Sequence, residues 1–216
     1  MKTFQFLSVA LCILGATAYS QNTTINLGEK YKSNSFSTIN RELSQLADDS
    51  GAVQLNAASG DGISILKDVS FDEGTVQIEL LGENNPGRSF VGFAFNIQND
   101  STYEVVYFRP FNFVAEEQLH KSHMAQYIYH PEFTWKKLRE TRTGEFENEI
   151  VNPPDPDQWF TAKIEIGKST VKVYVNNSED VTLEIKRLAE IKSDKIGIWT
   201  GFNSSGSFRN LQIETR

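Results

Sequence analysis

The feature that most constrains the fold is a succession of short apolar runs along most of the chain. Runs rich in Val, Ile, Phe and Tyr recur about every ten residues, separated by Gly, Asn, Asp and Pro. This spacing is typical of a β-sandwich, and helical periodicity is almost absent. The predicted strands are residues 52–57, 62–67, 74–81, 89–97, 102–109, 124–130, 159–166, 170–175, 181–185, 195–200 and 207–214.

Turn residues and two weaker patterns complete the fold prediction. Residues 99–101 (Asn-Asp-Ser) and residues 167–169 (Gly-Lys-Ser) are each predicted to close a hairpin. Only residues 38–47 and 132–139 have a helical pattern. We therefore expect an all-β, two-sheet antiparallel β-sandwich with at most one or two short helices. A chain of 216 residues allows this to be a single domain, predicted to span residues 21–216.

The first 20 residues are typical of a secretory signal peptide. Lys2 precedes an apolar run at residues 4–15, and small residues follow at 16–20. The only cysteine, Cys12, lies in this segment without the small preceding residue of a lipoprotein signal, so the mature chain is predicted to have no disulfide. A domain exported without disulfides fits a bacterial periplasmic or secreted protein.

The composition restricts the possible partners. The formal net charge is −7, and it becomes −8 when Lys2 is removed with the signal peptide. A chain this acidic is not expected to present a broad basic face to nucleic acid. No segment after the signal peptide approaches the length of a membrane span, so no membrane insertion is predicted for the mature chain.

A short stretch concentrates the groups able to exchange protons near neutral pH. It contains all three histidines, His120, His123 and His130, and it follows Arg109 closely. The cations of residues 135–139 (Trp-Lys-Lys-Leu-Arg) reverse the acidic character of the chain locally, which indicates an anionic ligand. The histidine spacing matches no strong zinc signature, and no metal site is predicted.

Alternation along two predicted strands assigns these side chains to faces. On residues 102–109, Tyr107 and Arg109 share a face that combines aromatic rings with a guanidinium group, as a sugar-binding surface does. The structural alternative is a partly buried arginine that is paired with an acid. On residues 124–130, Gln126 and His130 share one face and the two tyrosines at 127 and 129 share the other. Only one of these two faces can point toward a ligand.

Several segments together resemble a known superfamily. They are residues 89–95 (Ser-Phe-Val-Gly-Phe-Ala-Phe), 103–113, 157–160 (Asp-Gln-Trp-Phe), 171–176, 196–201 and 206–211. Their order resembles the concanavalin A-like lectin/glucanase superfamily, most closely its bacterial laminin-G-like and 3-keto-disaccharide-hydrolase-like domains. The resemblance covers about residues 50–214. It implies a jelly roll whose concave sheet holds a carbohydrate. Because this fold hosts lectins, hydrolases and lyases alike, the function must be argued from the site.

Two catalytic motifs known on this scaffold are not matched. Laminarinase-type glucanases carry Glu-x-Asp-x-x-Glu, since retaining hydrolysis needs two carboxylates about 5 Å apart. Here Glu145, Glu147 and Glu149 alternate along one strand, which is typical of a solvated face. Alginate-lyase-like jelly rolls carry Gln-x-His, whereas Gln126 and His130 have a longer spacing. No catalytic residue is transferred from either family.

The residues favour elimination on an acidic sugar. Elimination needs a group that neutralises the carboxylate, a base that takes the adjacent proton, and an acid for the leaving oxygen. We therefore predict an exported carbohydrate-active enzyme of lyase or dehydratase type that acts on a uronate-containing oligosaccharide. Its predicted catalytic residues are Arg109 for neutralisation, His123 or His120 as base, and Tyr127 or Tyr129 as acid. The predicted substrate-binding residues are Gln126, His130, Tyr107, Asn112, Trp199 and Trp135.

Two alternatives stay open at this point. The chain is either a non-catalytic carbohydrate-binding jelly roll or a glycoside-hydrolase-like enzyme of the 3-keto-disaccharide-hydrolase type. No cofactor is predicted. The predicted partner is an anionic oligosaccharide or polysaccharide, and neither nucleic acid nor a membrane is a predicted partner of the mature chain.

Overall fold

The alternating apolar residues build two antiparallel sheets in the computed structural model, which describes residues 21–215. The predicted signal peptide at residues 1–20 lies outside the described residues. The strands are β1 (Gln21–Ile25), β2 (Phe36–Ile39), β3 (Leu43–Leu46), β4 (Asp49–Leu55), β5 (Gly62–Ser70), β6 (Gly74–Leu81), β7 (Val91–Phe95), β8 (Tyr103–Phe108), β9 (Ala125–His130), β10 (Glu147–Asn148), β11 (Phe160–Ile166), β12 (Thr170–Val175), β13 (Leu183–Lys186), β14 (Lys195–Thr200) and β15 (Gly206–Thr215).

The strands divide between an eight-stranded back sheet and a seven-stranded front sheet. The back sheet has the order β13-β12-β11-β6-β15-β4-β3, and β1 also pairs with β15. The front sheet has the order β10-β9-β8-β7-β14-β5-β2. The helical segments are short: α1 (Leu27–Lys32), α2 (Gln118–Lys121), α3 (Trp135–Thr141) and a 3-10 turn at Pro110–Asn112.

The two sheets differ in how completely their faces are covered. Strands β6 and β11 of the back sheet alternate between buried and half-buried residues, as expected when only one face packs on a core. Strands β7 and β8 of the front sheet are buried at every position. Phe108 of β8 contacts Phe160 of β11 edge to face, with ring centroids 5.2 Å apart, so this side of β8 faces the other sheet. Because β7 and β8 are also buried on their opposite side, other segments of the chain pack over the outer face of the front sheet there.

A buried ion pair joins the two sheets. Glu104 of β8 is completely buried and points to the interior, where Arg187 donates hydrogen bonds of 3.0 and 2.5 Å to its carboxylate. Tyr127 of β9 donates to the same carboxylate, and so does the side-chain amide of Asn96. A buried carboxylate is tolerated only when it is paired and hydrogen-bonded, and Glu104 meets both conditions. This pair fixes which face of β8 points inward.

The predicted fold is confirmed, with differences in the N-terminal part. The bounds of β6, β12 and β14 agree with the prediction, and both hairpins form, β7 with β8 and β11 with β12. The helix predicted at residues 132–139 corresponds to α3. The helix predicted at residues 38–47 is wrong, since that segment contains part of β2 and all of β3. Its leucines at 43 and 46 fit a helical spacing, but pairing with β4 decides the conformation.

None of the helices in residues 21–215 has the length and apolar character that crossing a membrane requires.

Replacing one member of the buried pair is expected to destabilise the sandwich. In Glu104→Gln the charge of Arg187 loses its buried counter-charge, so the free energy of unfolding should fall by about 3–5 kcal/mol. The matched control is Glu184→Gln, which removes the exposed ion pair with Lys172 and should cost about 1 kcal/mol or less. Urea denaturation of both variants measures the difference. Equal losses in the two variants would contradict a structural role for the buried pair.

Candidate functional site

The uncovered part of the front sheet's outer face is a cleft with a volume of about 420 Å³. Strands β8, β9 and β14 supply its floor, and the segments after β4, β6, β9 and β14 supply its walls. We call this hollow the cleft. It is lined by Asp61, Gly87, Phe90, Tyr107, Arg109, Ile128, His130, Thr134, Trp135, Arg139, Trp199, Gly201 and Phe202.

The floor of the cleft is aromatic because a glycine separates two large rings. Gly92 of β7 pairs with Tyr107 on one side and with Trp199 on the other, and the two rings meet with their centroids 5.1 Å apart. A Cβ atom on residue 92 would lie 2.4 Å from the carbonyl oxygen of Val106 and 2.6 Å from the Cβ atom of Tyr107. Both contacts are too short, so the floor requires glycine here.

Two half-exposed aromatic rings stand at the walls. Trp135 is 48% exposed and Phe202 is 54% exposed. Trp135 begins α3, where the Thr134 hydroxyl caps the helix by accepting a hydrogen bond from the Lys137 amide. Phe202 follows β14, and β7 and β8 lie between that strand and β9. The two rings therefore approach the cleft from different sides of the sheet.

Arg109 lies at one end of the floor and is held by neutral oxygens only. Its guanidinium donates to the Tyr107 hydroxyl (2.6 Å), to the side-chain oxygen of Gln126 (2.5 Å) and to the His123 carbonyl (2.7 Å). Burial raises the pKa of Tyr107 to about 12, so that hydroxyl is uncharged at neutral pH. Across residues 21–215, no carboxylate lies within ion-pair distance of Arg109, although the residue is only 5% exposed. The expected structural alternative, an arginine neutralised by an acid, is therefore not what this site contains.

A second guanidinium borders the same end of the cleft but has a partner. Arg139 donates to both carboxylate oxygens of Glu147, at 2.8–3.0 Å. Glu147 also lies 3.3 Å from Nε2 of His123. Burial lowers the pKa of His123, and the nearby carboxylate opposes this shift only in part. The prediction that residues 145–149 form a solvated face is thus wrong for Glu147, which is 5% exposed.

The cleft also contains a histidine–carboxylate pair. Nε2 of His130 lies 3.4 Å from a carboxylate oxygen of Asp61, and the imidazole stacks on the ring of Tyr103 with centroids 5.2 Å apart. Burial lowers the pKa of His130, and burial raises the pKa of Asp61. Both shifts favour the uncharged forms. The pair therefore places an imidazole and a carboxyl group side by side in the wall of the cleft.

Next to the cleft lies a second hollow of about 580 Å³, which we call the histidine groove. It shares Gly87, Phe90, Arg109 and Arg139 with the cleft. Its other lining residues are Asn84, Pro86, Phe111, Asn112, Val114, Ala115, His120 and His123.

The structure divides the predicted substrate-binding residues among three places. Tyr107, Trp199, Trp135 and His130 line the cleft. Asn112 lines the histidine groove. Gln126 lies beneath the guanidinium of Arg109 and is completely buried, so it orients that side chain.

The predicted catalytic residues are also separated. His123 and His120 line the histidine groove, where His120 is exposed and 3.8 Å from Glu117. Tyr127 is buried on the opposite face of β9, where its hydroxyl bonds to Glu104. Tyr129 shares that face, and its ring packs on Phe133. The expectation that either tyrosine protonates a leaving oxygen beside Arg109 is corrected by these positions, because the sheet separates them from the cleft.

Asp61 and Phe202 were not singled out from the sequence. Asp61 lies just before β5, and Phe202 follows β14. Pairing of β5 with β14 brings these distant segments to one end of the front sheet. The local sequence pattern does not show that β5 and β14 pair with each other. No signal in the sequence therefore places these two side chains in the site.

Comparison with solved structures shows the fold. A protein of unknown function with a galectin-like fold from Bacillus subtilis is similar with a TM-score of 0.61 and 11% identity, covering 91% of this chain and 98% of that chain. Carbohydrate binding module CBM66 from Bacillus subtilis has a TM-score of 0.56 and 12% identity, with coverage of 83% and 95%. A β-glucanase of Bacillus licheniformis has a TM-score of 0.50 and 13% identity, with coverage of 81% and 82%.

These likenesses confirm the concanavalin A-like jelly roll that the sequence resemblance implied. No protein-family model matches the chain, and no curated protein matches it. The narrower resemblance to laminin-G-like and 3-keto-disaccharide-hydrolase-like domains stays a prediction.

A partly buried histidine of the groove, His123, gives the molecule a predictable pH dependence. Because burial lowers the pKa of His123 from its ordinary value of 6.5, the unfolded chain takes up this proton at a higher pH than the folded chain does. The free energy of unfolding should then fall as the pH falls through that ordinary value, and His123→Gln should make this fall shallower. The comparison variant is His120→Gln, which removes an exposed charge neighbouring His123 and should change the profile less than His123→Gln does. Urea denaturation between pH 7.5 and pH 5.5 measures both, and identical profiles for the two variants would contradict the assignment.

Proposed function

We propose that this chain binds a saccharide in the cleft of the front sheet. The observation that carries the proposal is the pair of half-exposed rings, Trp135 and Phe202, that flank a cleft with an aromatic floor. Exposed aromatic side chains of this size are costly to leave in water, and their grouping around one hollow marks a binding site. The cleft's volume of about 420 Å³ lies within the usual range for small-molecule sites.

The chemistry of the lining suits a sugar. A pyranose ring has an apolar face that stacks on an aromatic ring, and hydroxyl groups around its edge that need hydrogen-bonding partners. The floor and walls offer the rings, and the Asp61–His130 pair and Arg139 offer donors and acceptors beside them. The similarity to a carbohydrate binding module and to a β-glucanase supports the same class of ligand.

Arg109 supports an anionic sugar, such as a uronate, as the ligand. A buried guanidinium that is satisfied only by neutral oxygens retains its full positive charge. Guanidinium groups bind carboxylates in a bidentate manner, with stronger hydrogen bonds than neutral groups make. We infer that a carboxylate of the ligand occupies the position beside Arg109 and supplies the missing counter-charge.

Removing the exposed indole at the wall is expected to weaken sugar binding. Trp135→Ala should lower the affinity for oligogalacturonates about fivefold, since a stacking contact contributes on the order of 1 kcal/mol. The matched control is Tyr174→Ala, which removes a partly exposed ring from β12 of the back sheet. Isothermal titration calorimetry measures the affinities of the wild type and of both variants for oligogalacturonates, oligoalginates and neutral maltodextrins. Equal affinities in both variants, or a preference for the neutral sugars, would contradict the proposed site.

Catalysis on the bound sugar is a second candidate function, which the Asp61–His130 pair favours. In an elimination, a base takes a proton from the carbon next to the carboxylate, a C=C bond forms, the C–O bond breaks, and the protonated base passes that proton to the leaving oxygen. His130 lines the cleft and its pKa is lowered, so it is available as a base at neutral pH. Asp61 would orient it. His130 thus takes the role that the sequence had suggested for His123 or His120.

The catalytic candidate has its own test. Wild-type protein is incubated with oligogalacturonates and oligoalginates, and the ultraviolet absorbance of a conjugated C=C bond is followed together with the product masses. His130→Gln should slow turnover by about a hundredfold or more while the affinity stays close to that of the wild type. Tyr174→Ala, on the back sheet and outside both hollows, serves as control and should retain turnover. Unchanged product masses with the wild type would leave the chain as a binding protein and remove the catalytic candidate.

A further inference from the structure

We infer that the histidine groove is a second part of the same saccharide site, so that the ligand is an oligosaccharide chain that passes over Arg109. This inference rests on the proposed saccharide binding in the cleft. It adds the direction and the length of the ligand. The groove begins where the cleft ends, at the four residues that line both hollows.

The two hollows adjoin each other at the residues that line both. A ligand that reaches Arg109 from the cleft meets the groove directly, because the same guanidinium lines both hollows. Phe90 also lines both, and its ring lies 5.6 Å from the guanidinium carbon of Arg109 and packs edge to face on Phe111 in the groove. The aromatic surface therefore continues from one hollow into the next.

The groove has the same mixture of groups as the cleft. Phe111 and the exposed Val114 offer apolar contact, and Asn112, His120 and His123 offer hydrogen-bonding groups. Such a lining matches a polymer of polar rings better than it matches an apolar ligand. A second sugar unit that binds here is tethered to the first one, so its binding adds to the affinity at little further entropic cost.

The charges place the anionic unit at the junction. Arg139 is neutralised by Glu147, whereas Arg109 has no acidic partner among residues 21–215. One uncompensated positive charge therefore lies where cleft and groove meet, between the ends of the path. An internal unit of the chain, rather than a terminal one, would bring its carboxylate to this point. The site is thus predicted to favour internal segments of an acidic polysaccharide.

The inference is tested by measuring affinity as a function of ligand length, in the wild type and in a variant whose groove is blocked. The probes are oligogalacturonates and oligoalginates from the monosaccharide to the octasaccharide, measured by isothermal titration calorimetry. Wild-type affinity should rise about tenfold or more between the shortest ligand that binds and the longest. Val114→Asp places a negative charge in the groove and should abolish this rise without weakening the shortest ligand. The matched control Leu119→Asp adds the same charge at an exposed position of α2 outside both hollows, and it should preserve the rise.

The outcomes separate the inference from the proposal on which it rests. An affinity independent of length, or equal effects of the two aspartate variants, would overturn the extended site and leave binding in the cleft intact. Absence of binding for every probe would contradict the proposed function and the extended site together. Both are supported if Val114→Asp loses the higher affinity for the longest ligands, keeps the wild-type affinity for the shortest one, and Leu119→Asp retains the rise in affinity with length.

Discussion

The buried pair of Glu104 and Arg187 is the interaction on which the arrangement of the site depends. A carboxylate can face the interior of a sandwich only where a cation meets it, and Arg187 reaches across from the back sheet. Once Glu104 points inward, the alternation of β8 sends Tyr107 and Arg109 to the outside. The register of β8 with β9 then carries Gln126 and His130 to the same side. One ion pair in the core thereby decides which side chains a ligand meets.

Two arginines on opposite sides of the front sheet illustrate two ways of keeping a cation out of water. Arg187 is paired with a carboxylate and adds no net charge to the interior. Arg109 is surrounded by a phenol, an amide and a carbonyl, which satisfy its hydrogen bonds and leave its charge uncompensated. The first arrangement serves the stability of the fold. The second keeps a positive potential at the junction of cleft and groove, available to an anion from solution.

The sequence predicted elements well wherever the local pattern decides them. The bounds of β6, β12 and β14 follow from alternating residues between turn signals, and the face shared by Tyr107 and Arg109 follows from the same alternation. The prediction failed where pairing with distant strands determines the conformation. Residues 38–47 have leucines at a helical spacing, yet β4 and β5 draw them into strands. Asp61 and Phe202 enter the site only through the pairing of β5 with β14, which no local pattern encodes.

The position of Trp135 gives this molecule an optical reporter of its own state. All three tryptophans lie within the described residues, and Trp199 is buried while Trp159 lies half-buried under the guanidinium of Arg209. Trp135 is the most exposed of the three indoles, and it stands at the wall of the cleft. A molecule that settles there displaces water mainly from this indole, so the tryptophan emission of the intact protein shifts without any label being attached.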